Sequence, residues 1–395
     1  MKKLLLALGL IILFAAEIGK VYFIMPFPGS QQSDTIGLAY FLHNYIWHIR
    51  ILSALLIIYG ISGRFKRWRM WQKTSLAIVL LFYSYVFYMF NFKFLADKMF
   101  YQPQNKSFAS VADNKIPDDK LVIATVINGE AKAYPIQLIG YHHQVQDTVG
   151  GEPIIVTYCT VCRTGRIYSP MIDGKKEQFR LVGMDHFNAM FEDATTKSWW
   201  RQVSGEAITG PMKGKRLKEI PSQQISLHQW KNIYPDTKIL QRDTTFNQAY
   251  DDLAQFDNGT IESGLEKRDS ASWQFKSWIV GIDNGKIARA YDWNELVTKK
   301  VINDSLPGLP IVIVLEDSIT FHTYNRMLNN GQTVHFVIDD STKLLRDIYT
   351  NTIWNFKGRL IDTTAKLVQL APVQSYQEFW HSWQTFHPAT TQYGK

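Results

Sequence analysis

Three apolar runs near the N-terminus constrain this 395-residue chain more than any other feature. Leu4 to Ile24 is interrupted only by Glu17 and Lys20. Thr35 to Ile61 carries His43, His48 and Arg50, and Thr74 to Leu95 is rich in Phe and Tyr. A bilayer core takes about 20 apolar residues as helix, so each run is long enough to cross. A cleaved signal peptide is the other reading of the first run, with Lys2 and Lys3 as its charged end. Against it, Ile24-Met-Pro-Phe-Pro-Gly29 is bulky where a cleavage site wants small residues, and two further runs favour an anchor.

The formal charge of +8 invites a nucleic-acid reading until it is located. Residues 1–100 hold eleven Lys and Arg against Glu17, Asp34 and Asp97, which is the whole excess. The remainder balances at 32 basic and 32 acidic residues, so it has no net charge with which to track phosphates and no nucleic-acid partner is expected. The charge sets topology instead. The basic loop Arg64 to Lys73, between runs two and three, belongs on the cytoplasmic side, and the Pro26–Asp34 loop, free of Lys and Arg, suits the other face. Lys2 and Lys3 then lie inside, and three crossings place everything after Lys98 outside. Ionisable residues at membrane depth are functional candidates by default. For His43, His48 and Arg50 the preferred reading is nevertheless a snorkelling arginine and interhelical hydrogen bonds, with haem or quinone contact as the alternative.

The outer region repeats itself. Val126-Ile-Asn-Gly-Glu-Ala-Lys-Ala-Tyr-Pro135 is echoed by Gly281-Ile-Asp-Asn-Gly-Lys-Ile-Ala-Arg-Ala-Tyr-Asp292, and Val145–Val156 by Ile302–Ile313. Gln229-Trp-Lys-Asn-Ile-Tyr-Pro-Asp236 is echoed by Ser382-Trp-Gln-Thr-Phe-His-Pro-Ala389. So long a period predicts two duplicated, pseudo-twofold-related halves and excludes a solenoid of 20–50-residue units. The expected organisation is a membrane region 1–98 with helices at about 4–24, 35–61 and 74–95 and a linker 99–119. A first repeat 120–241, a connection 242–276 and a second repeat 277–395 follow. The pattern within each repeat is mainly β (α+β overall). Leu121–Ile127, Asn128-Gly129 and Ala131–Pro135 read as a hairpin, Ile154–Tyr158 as a buried strand, and Ser226–Ile233 and Ser375–Phe386 as helices.

The only two cysteines, Cys159 and Cys162, lie in Tyr158-Cys-Thr-Val-Cys-Arg163. A CxxC pair can close a small disulfide or hold a soft metal, and either role uses the thiolate, which nearby Arg163 and Arg166 favour. Aligned on Asp147 and Asp304, Cys159 falls at Glu316 and Cys162 at Ile319, so the second half makes the same turn without cysteine. That points to a site specialised in the first half, on a hairpin tip. Three readings stand side by side. They are a redox-active dithiol in an oxidising compartment, a zinc or copper site completed by His142, His143 or His186, and a static disulfide. The dithiol is favoured, with no cofactor. Asp185-His186 can orient a thiol or accept its proton. Trp199, Trp200 and Gly205–Pro211 read either as a wall near the cysteines or as core aromatics.

Asn128-Gly-Glu-Ala-Lys-Ala-Tyr-Pro135, Asp147-Thr-Val-Gly-Gly151, Val156-Thr-Tyr-Cys-Thr-Val-Cys162, Ser204–Pro211 and His387-Pro388, in this order, resemble the domain of unknown function 3179 family from about Leu121 to Pro388. The family's name allows for selenoprotein members. Selenocysteine at the CxxC would imply redox chemistry, because selenium is the better nucleophile and leaving group. The family commonly reads Cys-Pro-Leu-Cys-Gly where this chain has Cys-Thr-Val-Cys-Arg. Of the family's Trp-His-Glu, only His142 is matched, within Tyr141-His142-His143. The resulting expectation is a thiol–disulfide oxidoreductase anchored in the bacterial cytoplasmic membrane, with a periplasmic outer region and a protein thiol or redox partner. Cys159 is the attacking thiolate and Cys162 the resolving thiol, with Arg163, His142 and His186 as the remaining candidate site residues. The competing classes are a metal module using Cys159, Cys162, His142 and His186, and a non-catalytic binding scaffold.

Overall fold

A computed structural model describes residues 1–63, 65–361 and 368–395. Arg64, the first residue of the basic loop expected on the cytoplasmic side, lies outside the described residues. The chain forms two compact units: Met1–Tyr101 with Glu177–Arg216, and Gln102–Lys176 with Leu217–Lys395.

In the first unit the three apolar runs are helices α1 (Lys2–Tyr22), α2 (Ile36–Ile61) and α3 (Met70–Tyr88), the last carried on by a π-helical stretch, Met89–Lys93. All three are long and apolar enough to cross a membrane. Small residues let α1 and α2 approach closely: a Cβ on Gly60 would stand 2.7 Å from that of Leu6. The charges at membrane depth are paired. Arg50 reaches both oxygens of the fully buried Glu17, at 2.5 and 3.0 Å, and Asn91 and the Tyr83 hydroxyl donate to the same carboxylate. Lys20 joins the cluster through Glu17 and Asn91.

A four-stranded antiparallel sheet completes this unit, in the order Ala207–Thr209, Trp199–Arg201, Asn188–Asp193, Phe179–Asp185. It meets the end of α1 where the Met184 amide donates to the Ile24 carbonyl. Trp199 lies edge-on to Tyr40 and His43 of α2. The indoles of Trp199 and Trp200 are buried and donate to Glu192 and Asp193. They are core aromatics of the membrane unit. At the opposite end of the helices, Lys2 donates to the Ser62 carbonyl.

The second unit is mainly β, and one order of elements occurs in it twice. Leu121–Ile127 and Glu130–Pro135 pair antiparallel across Asn128-Gly129, whose φ values of 48° and 81° give the left-handed two-residue turn that Asn-Gly favours. Helix α4 (Ile136–His142) leads into the meander Gln144–Val149, Glu152–Cys159, Thr164–Tyr168. The chain returns as Gln223–Ser226 beside Leu121–Ile127. Helix α5 (Leu227–Ile233) follows, then Lys238–Leu240 parallel to Glu130–Pro135. In the second half, Trp278–Asp283 and Ala288–Asp292 precede α6 (Trp293–Lys299) and the meander Val301–Leu306, Leu309–Leu315, Phe321–Asn325. Tyr376–Phe379 returns beside Trp278–Asp283, α7 (Trp380–Phe386) follows, and Thr391–Gln392 runs parallel to Ala288–Asp292.

Buried polar anchors match as well. The Tyr134 hydroxyl donates to Asp147, which Lys132 pairs; the Tyr291 hydroxyl donates to Asp304, which Arg289 pairs. The Trp230 indole donates to Thr237 and the Trp383 indole to Thr390. Each meander is followed by an excursion. Residues 169–218 contain the sheet of the membrane unit, whereas residues 326–370 include the small sheet Phe336–Ile338, Leu345–Asp347, Ile353–Trp354 of the second unit.

The halves are interlocked at their meander turns. The Phe379 amide, at the start of α7, donates to the Cys162 carbonyl at 3.0 Å. The Ser226 amide, at the start of α5, donates to Thr320 Oγ1 in the other turn at 3.1 Å. The CxxC turn therefore sits against the second half, which is what builds its surroundings.

Candidate functional site

Cys159 ends a strand whose inner residues Ile154–Tyr158 are wholly buried, and Cys162 lies in the turn that Arg163, at φ 54°, closes by donating its amide to the Thr160 carbonyl. The two cysteines are 3.7 Å apart and are not joined by a disulfide. The expected hairpin tip is there, but it is not exposed: both cysteines have no accessible surface. The segment 242–276, expected to be an irregular connection, covers the turn. Its Phe256 packs edge-on to Tyr158, Glu266 accepts from the Thr160 hydroxyl at 3.2 Å, and the Lys276 ammonium donates to the Val161 carbonyl. From α7, His381 Nε2 donates to the same carbonyl at 3.1 Å, and Ser382 hydrogen-bonds the Cys162 thiol.

Burial dominates the electrostatics. It pushes the Cys162 thiol well above its usual pKa, helped by the hydrogen bond and charge of Cys159 and opposed by Lys276 and Ser382. Burial also lowers the Lys276 ammonium, while both cysteines, Glu266 and Asp269 favour its charge. The same cause raises Glu266. His381 is lowered to about 3 by burial and then by Lys276, so it is neutral, with its Nε2 proton on the Val161 carbonyl. Asp257, fully buried and accepting from the Leu121 amide, is raised to about 6 by desolvation.

The two arginines beside the pair are engaged elsewhere. Arg163 donates to Gln377 Oε1, the Phe256 carbonyl and the Asp257 carbonyl, at 2.8–3.0 Å, and lies 3.8 Å from the centre of the Trp278 ring. Arg166 donates to Glu378 at 2.5 Å and stacks on Tyr376. The cation whose charge acts on both sulfurs is Lys276.

The candidate histidines divide between the units: His142 and His143 lie at the end of α4, where the Tyr158 amide donates to the His143 carbonyl, and His186 lies in the other unit. His142 Nε2 lies 2.6 Å from the Tyr250 hydroxyl, among Tyr141 and Phe246. His143 is bonded to the Tyr141 carbonyl and lowered to about 4 by burial. His186 belongs to the first unit, where Asp185 holds its Nδ1 at 2.7 Å and raises its pKa. Among the described residues, no three His, Cys, Asp or Glu side chains gather into a group that could hold a metal ion.

Lys276, Glu266, His381 and Ser382 were not foreseen from the sequence. Each stands more than 100 positions from the cysteines and no motif marks it. The nearest signal was the echo of Gln229–Asp236 in Ser382–Ala389, which marks a helix at Ser382 but not its approach to the cysteines.

No curated protein and no solved structure matches the chain. A family model described as Protein of unknown function (DUF3179) matches residues 102–390, well over half of the chain, and the chain belongs to that family.

Proposed function

We propose that Cys159 and Cys162 are a redox-active dithiol that exchanges with disulfides. The observation carrying this is two buried thiols 3.7 Å apart, not joined by a disulfide, beside an ammonium, Lys276, that favours their ionised forms. Burial, and then the neighbouring Cys159, hold Cys162 toward its protonated form, and Cys159, which ends the buried strand, is taken as the attacking thiolate. Its sulfur attacks one sulfur of a substrate disulfide, forming a mixed disulfide and releasing a thiolate that takes up a proton. Cys162 then loses its proton and attacks Cys159 Sγ, closing the Cys159–Cys162 bond and releasing the second thiol. The substrate disulfide gains two electrons and the dithiol loses them. The reverse sequence oxidises a substrate dithiol, and the partner's potential sets the direction.

The same reading places the second unit outside a bacterial cytoplasmic membrane, with Lys2 and the basic loop inside. The helix ends support it: Lys2 and Ser62 meet at one end, and the Phe179–Thr209 region joins the helices at the other. It also takes the two halves as copies, on the strength of the shared element order and the Tyr134–Asp147 and Tyr291–Asp304 pairs.

The test is acid quenching of intact membranes poised at a series of redox potentials, thiol labelling after denaturation, and metal analysis of the purified protein. The expected result is a pair that moves reversibly between dithiol and disulfide without bound metal. Stoichiometric zinc or copper on blocked thiols, or a disulfide that never opens, would overturn the reading.

A further inference from the structure

The two halves of the second unit enclose a cavity of about 400 Å³, within the size range of small-molecule sites. The first half contributes Thr125, Ser222, Gln223 and Gln224, and the second contributes His322, Thr323, Gln374 and Ser375. Trp230, Tyr234, Phe321 and Tyr324 supply aromatic surface, and among the described residues no Asp, Glu, Lys or Arg lines it. The walls are tied together, because the Gln374 amide donates to the Ser222 carbonyl at 3.1 Å and accepts from the Ser222 amide at 3.3 Å.

Several polar groups of the lining remain uncommitted. Among the described residues, the Ser222 hydroxyl, the Gln223 amide and the Tyr234 hydroxyl have no hydrogen-bond partner, and Gln224 is bonded only through its Nε2, to Gln377. His322 is held by Glu316 at Nε2, 2.7 Å away, and its Nδ1 has no hydrogen-bond partner among the described residues. Glu316 stands where the first half has Cys159, so the turn without thiols presents a carboxylate-braced imidazole to this cavity.

We propose that this cavity is a binding site for a neutral saccharide. An anion would call for a Lys or Arg in the lining and a cation for a carboxylate; among the described residues the lining has neither. Amides and hydroxyls both donate and accept, which matches sugar hydroxyls that do the same. Tyr234, packed 4.4 Å from Trp230, offers an aromatic surface to the C–H face of a pyranose ring. An extended peptide would call instead on a free strand edge and apolar side-chain pockets. The dithiol reading is not needed, since neither cysteine lines the cavity.

The experiment uses the full chain in lipid nanodiscs, so that no sugar-headed detergent competes. Maltotriose and tri-N-acetylglucosamine are titrated separately by saturation-transfer NMR and tryptophan fluorescence. Saturable binding of at least one is expected, weakened at least about tenfold by Gln224→Ala and by His322→Ala and unchanged by Cys159→Ser. Gln223 is exposed, so Gln223→Trp fills the cavity from its rim without disturbing the core, and it too abolishes binding. Absence of saturable binding by either sugar up to roughly 10 mM overturns the proposal. So does binding that survives Gln223→Trp, or binding of a Gly-Ser-Gln peptide in place of the sugars.

Discussion

Replacing Glu378 by Gln tests the bond that joins the CxxC strand pair to the second half. Glu378 is fully buried, and its Oε1 accepts from Arg166 at 2.5 Å and from Thr164 at 2.8 Å, while Oε2 accepts from Ser382 at 3.2 Å. Glu378→Gln keeps the shape and removes the charge, leaving Arg166, only 2% exposed, with Glu219 at 3.6 Å as its remaining anion. Stranding one member of a buried pair costs about 3–5 kcal/mol. Glu219 is about one-third exposed and compensates little, so the lower end, about 3 kcal/mol, is the expected loss. In a unit of this size that is a fall of about 6–12 °C in Tm. The assay is thermal and urea unfolding of the full chain in nanodiscs, followed by near-ultraviolet circular dichroism. Arg166→Met with Glu378→Met leaves no uncompensated charge and should be less destabilised than Glu378→Gln alone. A single-variant loss below about 1 kcal/mol, or a double variant worse than the single, would refute the reasoning.

Asp257, raised to about 6 in the folded protein against about 3.9 unfolded, binds its proton more tightly when folded. Its contribution to stability is therefore present at low pH and lost as pH rises from about 4 to 6, by about 3 kcal/mol; the gap between wild type and Asp257→Asn in urea unfolding should shift by that amount from pH 4 to 7, and parallel curves would count against it. His381, lowered to about 3, has the opposite sign: stability falls as pH drops below about 6.5, and His381→Gln should flatten that decline. Lys276→Met removes the cation beside both sulfurs and should slow alkylation of the reduced folded protein at pH 8 by roughly tenfold, with Lys276→Arg closer to wild type. Glu17→Leu strands Arg50 among the helices and should destabilise the first unit toward SDS by about 2–3 kcal/mol, a loss that Glu17→Leu with Arg50→Leu should partly recover.

Local chemistry was the legible part of the sequence. The Asn128-Gly129 turn, the α5 helix and the three apolar runs all appear where their patterns place them, because each is decided within a few residues. Of the helix expected over Ser375–Phe386, however, only Trp380–Phe386 forms, since Tyr376–Phe379 pairs as a strand with Trp278–Asp283. What surrounds the CxxC was not legible, because it is assembled over long separations. Val161 alone receives Lys276 and His381, 115 and 220 positions away. Arg163 and Arg166 looked like thiolate partners because they adjoin the cysteines. Strand geometry instead sends them to Asp257, Gln377 and Glu378, and proximity along a chain says little about where a five-donor guanidinium finds acceptors. The buried turn was missed for a related reason. Residues 242–276 lack strand or helix periodicity, and coverage by an irregular segment leaves no periodic trace.

The excursion after Tyr168 also bears on how the molecule can be cut. Because Glu177–Arg216 belongs with the helices, the polypeptide passes between the two units at 101/102, 176/177 and 216/217. A secreted fragment beginning at Gln102 would still carry the Phe179–Thr209 sheet, now without the α2 residues Tyr40 and His43 that shield Trp199. Such a fragment would be sticky where the intact protein is not. A soluble version should instead be made by excising Glu177–Arg216 and splicing Lys176 to Leu217.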